Sequence, residues 1–334
     1  MHDVVTIGTA TRDVYITNES FKVLKDPKHL EKMGFDTGVA ECFALGTKMD
    51  IERPAFTIGG GAINTAVSFS RLGLNAASSF KVGDDEFGDV LVRKVKDEKI
   101  SPIVSRDKSV GTAYSTILLN PNGERTVLAY RGASNTIRKR DIVLKKLRAR
   151  WAYIVSGHLP IALLKSIVEH LKKRGICIAF APSQYHVDMG HKKLRVVLRH
   201  VDVVLMNREE AARFTKEDYK REKLIFRKLD EAVDGIAVMT EGSGGSLVSD
   251  GQFMYRAGVF KEKELIDRTG AGDAFGSGFV AGIMRGHDIP HALRLASANA
   301  TSVVEKVGAS TGSLTDREFK KKRWQYLDLD VEPL

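Results

Sequence analysis

Six short apolar runs, at residues 4–8, 76–82, 151–156, 176–181, 201–206 and 235–240, recur along the chain with helix-like patterns between most of them. Continuous apolar runs of this length, without polar alternation, read as strands buried on both faces. Strand alternating with helix predicts a mostly parallel sheet covered by helices on both sides, so the expected fold class is α/β. The intervening helices have readable ends: residues 62–72 close at Gly73, 86–98 are amphipathic, and 161–174 carry basic residues in the last turn before Gly175.

Two stretches break the rhythm. Residues from about 14 to 57 lack a long helical pattern, and 113–130 read as two strands, AYSTILL and RTVLAY, around Pro121, Asn122 and Gly123. Both are expected to be β insertions into a single α/β domain spanning residues 1–334. Further on come a hairpin at 246–256, helices at 271–285 and 290–306, and a charged tail from Thr315.

Composition narrows the function classes. No run of about 18 apolar residues could span a bilayer, and the first residues lack the charged and apolar regions of a signal peptide, so a cytoplasmic protein without membrane contact is expected. Two cysteines among 334 residues exclude a disulfide framework and a four-cysteine zinc site. Lys plus Arg at 52 against Asp plus Glu at 42 gives a net charge of +10, which favours nucleotides, phosphorylated substrates or nucleic acid as partners. The basic clusters lack regular aromatic interleaving, so no nucleic acid partner is expected.

Neither GxxxxGK[ST] nor GxGxxG after the first strand is present, which argues against a P-loop enzyme and a dinucleotide-dependent oxidoreductase. The segment DRTGAGDAFGSGFVAGIMRG, residues 267–286, offers another phosphate site. Gly270, Ala271 and Gly272 open a helix whose unpaired N–H groups and positive dipole end suit an anion, beside the carboxylate of Asp273. Phosphoryl transfer needs that pair: a base for the attacking hydroxyl and N–H groups for the transferring charge. A plain alternative has Asp273 compensating the helix dipole while the glycines, with Gly278 and Gly282, allow close helix packing. A second glycine cluster, GGGAINTAVSFSRLG at residues 59–73, places Asn64 in the first turns of another helix, where its amide could bond substrate hydroxyls or merely sit in a glycine-rich turn.

These two segments, in this order, resemble the signatures of the PfkB (ribokinase-like) carbohydrate kinase family, and Gly8, Asp13 and GDDEFG at 83–88 fit the same resemblance. The resemblance covers nearly the whole chain. It implies a three-layer fold whose mostly parallel central sheet is flanked by helices, with the β insertions forming a small β-sheet lid. It implies an ATP- and Mg2+-dependent kinase that moves the γ-phosphate to a hydroxymethyl group of a sugar or nucleoside. By that resemblance Asp273 is the catalytic base, Gly270, Ala271 and Gly272 are the anion hole, and Asp13, Gly60 and Asn64 contact substrate. Asn207 and Glu210, in MNREEA, resemble the NxxE motif that organises magnesium through water, and Thr240, Gly242 and Gly245, in MTEGSGGS, the nucleotide loop. A monovalent cation and a homodimer through the lid are further expectations it carries.

Some positions depart from the pattern. Arg268 stands where a small or β-branched residue is common, Gly61 replaces a lysine, and Gly157 with His158 occupies the place of an acidic sugar contact. Ribose is therefore not implied. Phe43, Phe56 and Tyr114 are candidates to hold a nucleoside base, and Arg12, Lys48 and Arg131 to hold a phosphosugar. A phosphofructokinase-like enzyme and a non-catalytic nucleotide-binding protein remain as alternatives, the second weakened by the presence of Asp273. His158, His186 and His191 have no metal-ligand spacing.

Overall fold

The structure, a computed structural model, describes residues 1–17, 21–34, 38–51, 53–120 and 125–334. Pro121, Asn122 and Gly123, expected to turn the hairpin of the second insertion, lie outside them.

The central sheet has ten strands. From one edge run Ser101–Asp107, Ala76–Gly83, His2–Gly8, Ala149–Val155, Cys177–Ala181, Val203–Asn207 and Ile236–Thr240, all parallel. Three antiparallel strands, Ser246–Ser249, Phe253–Ala257 and Leu329–Pro333, complete the other edge. All six apolar runs are strands of this sheet. Within His2–Gly8, Val4 packs into the apolar layer on one face, while Val5 and Ile7 enter the layer on the other. One layer holds the helices Gly61–Arg71, Ala271–Met284 and Ile289–Val304; the other holds Ile161–Lys173, Gly190–Leu198, Arg208–Thr215 and Glu222–Asp230. Burial of both faces explains the continuous apolar runs.

The two insertions pair with each other. Ala55–Gly59, Thr11–Thr17, Tyr114–Leu119 and Arg125–Tyr130 form a four-stranded sheet, and Lys22–Lys25 with Val39–Cys42 a two-stranded one. Tyr15, Ile117 and Leu119 pack under the larger of these, against Val307 of the body.

The charged tail from Thr315 forms regular structure. Thr315 opens a capping box with Glu318, Trp324 is buried, and Leu329–Pro333 adds the tenth strand. That strand is exposed along most of its length and ends in proline, so it lacks the apolar pattern by which a strand is recognised.

Candidate active site

The helices that carry Asn64 and Asp273 are locked together below the site. Ser277 donates to Ser68 at 2.7 Å, Asn299 donates to Ser68 and to the Ala274 carbonyl at 2.9 and 2.8 Å, and the Leu314 N–H reaches Asn299 Oδ1 at 2.8 Å. A satisfied buried network of this kind fixes register as well as adding stability. Close approach is steric: a Cβ on Gly278 would lie 3.0 Å from Ala296 Cα, and one on Gly282 would lie 2.7 Å from Ala292 Cα. The packing role proposed for these two glycines therefore holds, alongside whatever Gly270 and Gly272 do.

At the top of this pair, Gly270 caps Ala271–Met284 with φ 81, and a Cβ there would collide with the Ala309 carbonyl. Gly272, two residues on, is exposed and has nothing within 4 Å of where a Cβ would stand. The helix N-terminus is thus tightly backed on one side and open on the other. Asp273 lies in the first turn, and Asn64 Nδ2 donates to its Oδ2 at 2.8 Å. Burial pushes the Asp273 carboxyl up to about 6, against the opposing pull of the Asn64 hydrogen bond.

Asp13 is reached from the other side. It sits on Thr11–Thr17, in register with Ser115 and Thr57, and is 4% exposed. Burial pushes it up to about 6, with the Ser115 and Thr11 hydroxyls pulling down and Asp267 pushing further up. A Cβ on Gly59 would collide with its carboxylate, and Gly60, at φ 89, would drive a Cβ to 2.6 Å from the Thr9 carbonyl oxygen. The glycine turn is therefore a steric requirement of this corner. Asp13 Oδ1 and Asn64 Oδ1 are both buried acceptors without a partner. Buried acceptors left open are costly, and hydroxyl donors of a ligand would satisfy them.

Asp267, to which the sequence reading assigned no role, is fully buried; the Thr269 N–H donates to one of its oxygens at 2.9 Å and the Gly308 N–H to the other at 3.1 Å. Thr269 Oγ1 and the Tyr15 hydroxyl beside it are buried without partners. Tyr15 and Gly308 come from distant segments, so no local pattern announces this cluster.

Asn207 and Thr240 end adjacent strands in register. Asn207 caps Arg208–Thr215: its Oδ1 accepts the Glu210 N–H at 2.8 Å, and Glu210 Oε2 accepts the Asn207 N–H at 2.9 Å. Glu210 is raised by burial above all, with Glu209 and Asp273 adding to the rise, so it lies within the electrostatic reach of Asp273. Gly242 opens the turn after Thr240 with φ 52 and an open Cβ direction; Gly245 has φ 88 and is backed by the Ala257 carbonyl. Arg208 pairs with Glu241 and, at 3.3 Å, with Glu222, and its guanidinium lies 4.5 Å from the Tyr219 ring centroid, bracing the turn.

Other expected residues are placed differently. Arg12 neighbours Asp13 in sequence, but strand alternation turns it to the opposite face, where its guanidinium lies 5.3 Å from the Phe56 ring centroid. Tyr114, on that same face, stacks on Phe87 at 5.8 Å. His186 is buried and bonded to Ser156, Ser183 and the Leu159 carbonyl, so it is a core residue. Among the described residues no group of three or more His, Cys, Asp or Glu could hold a metal ion, and no helix is long and apolar enough to cross a membrane.

Gly8, Asn207 and Thr240 stand at the carboxyl ends of parallel strands, where open α/β sheets bind their ligands. Residues 1–317 match the pfkB family carbohydrate kinases, and the chain belongs to that family; it is a sugar kinase, a phosphotransferase. It is 29% identical over 254 residues to an uncharacterized sugar kinase of Archaeoglobus fulgidus, covering 74% of this chain and 98% of the relative. It is 25% identical over 262 residues to an ATP-dependent 6-phosphofructokinase of Thermoanaerobacterium thermosaccharolyticum, covering 75% and 80%. A probable sugar kinase from Rhizobium etli shares the fold at a TM-score of 0.77 and 21% identity, covering 96% of this chain and 98% of the other. The fold is accordingly ribokinase-like, as the sequence motifs imply.

Proposed function

We propose that the protein transfers the γ-phosphate of ATP, with Mg2+, to a hydroxymethyl group of a small polyhydroxylated substrate, with Asp273 as general base. The observation that carries this reading is the Asn64–Asp273 pair at an open helix N-terminus. Asn64 occupies Asp273 Oδ2, which leaves Oδ1 to take the proton of the attacking hydroxyl. A carboxyl near 6 is ionised at neutral pH yet more basic than an ordinary one, which suits it to that task. The N–H groups of Gly270 to Gly272 would receive the charge of the group in transfer. Asp13 Oδ1 and Asn64 Oδ1 would orient the substrate through its hydroxyls.

Asn207, Thr240, Gly242 and Gly245 would take the nucleotide. A Mg2+ ion would be carried by nucleotide phosphates and water, with Glu210 one water away. Bound there, the ion would neutralise phosphate charge. Asp267, Thr269 and Tyr15 offer oxygen ligands to a monovalent cation. The four-stranded sheet would act as the lid, excluding water from the transfer; Phe56, Leu128 and Tyr130, exposed on the face it shares with Arg12, would be covered if two copies pair through it. A panel of sugars, sugar phosphates and nucleosides screened for ATP consumption tests the reading, and ATP left unconsumed by every member overturns it.

A further inference from the structure

We infer that Asp85 is a positioning residue: through Thr112 it fixes the point at which the four-stranded sheet joins the body, and with it the seat of Asp13. This rests on the reading of Asp13 as a substrate contact and names a residue that acts through it.

The segment GDDEFG, residues 83–88, lies outside the residues proposed to touch substrate or nucleotide. In it Asp85 caps the helix Glu86–Asp97, its Oδ1 accepting the Gly88 N–H at 2.8 Å. Capping needs no more than that one bond. The carboxylate takes two others, both from Thr112, which is 27 residues away: the hydroxyl donates to Oδ1 at 2.6 Å and the backbone N–H to Oδ2 at 2.7 Å. Thr112 is buried, and its Oγ1 in turn accepts the Gly83 N–H at 2.9 Å. The fit is close. A Cβ on Gly83 would lie 2.5 Å from the Thr112 nitrogen, and one on Gly88 would lie 2.6 Å from the Gly83 carbonyl oxygen.

Two strands of the small sheet are rooted at this latch. Tyr114–Leu119 starts two residues beyond Thr112, and Arg125–Tyr130 ends two residues before Gly132. A Cβ on Gly132 would stand 2.4 Å from the Gly111 carbonyl oxygen, which also accepts the Ala133 N–H at 2.8 Å. Phe87, two residues beyond Asp85, stacks on Tyr114 with ring centroids 5.8 Å apart. From the latch to Asp13 the path is short. The Ala113 carbonyl accepts the Arg12 N–H at 2.9 Å, and Ser115 stands opposite Asp13 in register. A carboxylate that holds a hydroxyl and a backbone N–H of one residue fixes both its place and its direction, and charge-assisted bonds of this kind are the strong ones. Displacing an orienting group by about 1 Å can cost about a hundredfold in rate, which gives the latch its functional weight.

Three variants separate this role from capping. Asp85→Ser keeps a capping oxygen but cannot hold both Thr112 donors, Thr112→Val keeps the carboxylate but loses the hydroxyl, and Thr112→Ser keeps the latch. The measurements are amide hydrogen exchange of the full chain without ligand, and steady-state kinetics with ATP and the best substrate among ribose, fructose, fructose 6-phosphate and adenosine. In Asp85→Ser and Thr112→Val, peptides covering residues 9–16 should exchange at least about tenfold faster, with those covering 271–284 unchanged. KM for the sugar or nucleoside should rise about tenfold or more in both, with KM for ATP within about twofold of wild type, and Thr112→Ser should behave as wild type. Unchanged exchange at 9–16 in Asp85→Ser and Thr112→Val overturns the inference. So does an unchanged KM for the sugar or nucleoside, or a KM for ATP that rises equally. A wild-type chain that consumes ATP with none of the four substrates would count against the kinase reading, and the exchange measurement would then decide the latch alone.

Discussion

Asn64 and Asp273, 209 residues apart, meet through a 2.8 Å hydrogen bond that joins the first turns of two helices whose lower halves are held by the Ser68–Ser277–Asn299 network. The bond gives Asp273 one engaged oxygen and one free one, and so a direction. A helix-dipole role would not need the partner.

Replacing Asp273 with Asn separates the two roles. As general base its loss should lower turnover about 100- to 10,000-fold with nucleotide affinity little changed. Its folded value of about 6 lies above the ordinary 3.8, so the ionised form is disfavoured by folding and wild-type stability declines as pH rises from about 4 through 6. Asp273→Asn should therefore melt higher than wild type at pH 7.5 and lose that advantage near pH 4. A dipole residue would instead cost about 0.3–1 kcal/mol on replacement with activity retained. Near-normal turnover in this variant ends the catalytic assignment.

The acid limb of the pH–rate profile should be steep. Asp13 and Asp273 are both pushed up to about 6, and the proposed mechanism uses both as carboxylates, so kcat/KM should fall below that pH with a limiting slope near two on a logarithmic plot. In Asp13→Asn, at lower overall rate, the slope should drop towards one. A slope of one in the wild type would show that only a single carboxylate matters in this range.

Gly270 and Gly272 should respond oppositely to alanine. Gly270→Ala places a Cβ against the Ala309 carbonyl at a positive φ and should cost about 1–3 kcal/mol or more, read as a lower melting temperature. Gly272→Ala meets nothing in the protein, so melting should be unchanged while phosphoryl transfer falls, because the methyl group would occupy the open side of the N-terminus. Full activity in Gly272→Ala would remove the anion hole from that face.

Glu210→Gln should raise the Mg2+ concentration needed for half-maximal activity, since the amide lacks the charge that would order the ion's water. Its carbonyl oxygen can still accept the Asn207 N–H, so the cap survives and melting should shift little. Glu210→Ala should also lose the side-chain arm of the capping box, while the Asn207 cap on its backbone N–H remains, and so lower the melting temperature slightly. An unchanged Mg2+ requirement in Glu210→Gln would leave Glu210 as a capping residue only.

The parallel strands were legible in proportion to their burial. Ala149–Val155 and Val203–Asn207 are covered on both faces and read as apolar runs, whereas Ser101–Asp107, an edge strand with a half-exposed pattern, carries no such run. The glycine turns were legible because positive φ and backbone contact leave few other residues possible. Side-chain direction was not legible. Arg12 is adjacent to Asp13 in sequence, yet which of them faces the body depends on pairing with Tyr114 and Ser115, a hundred residues away. The Asp267 cluster likewise arises from segments that only folding brings together.

The tenth strand, Leu329–Pro333, lies beyond the region matched to the family and pairs with Phe253–Ala257. Its own outward edge carries Asp330, Glu332 and Pro333, residues that oppose pairing with a further chain. Trimmed of this strand, the sheet would end at Phe253–Ala257, whose Phe253 and Tyr255 flank an unprotected row of backbone donors and acceptors. Leu329–Pro333 thus acts as a built-in hem, keeping the edge next to the proposed nucleotide turn from becoming a template for self-association.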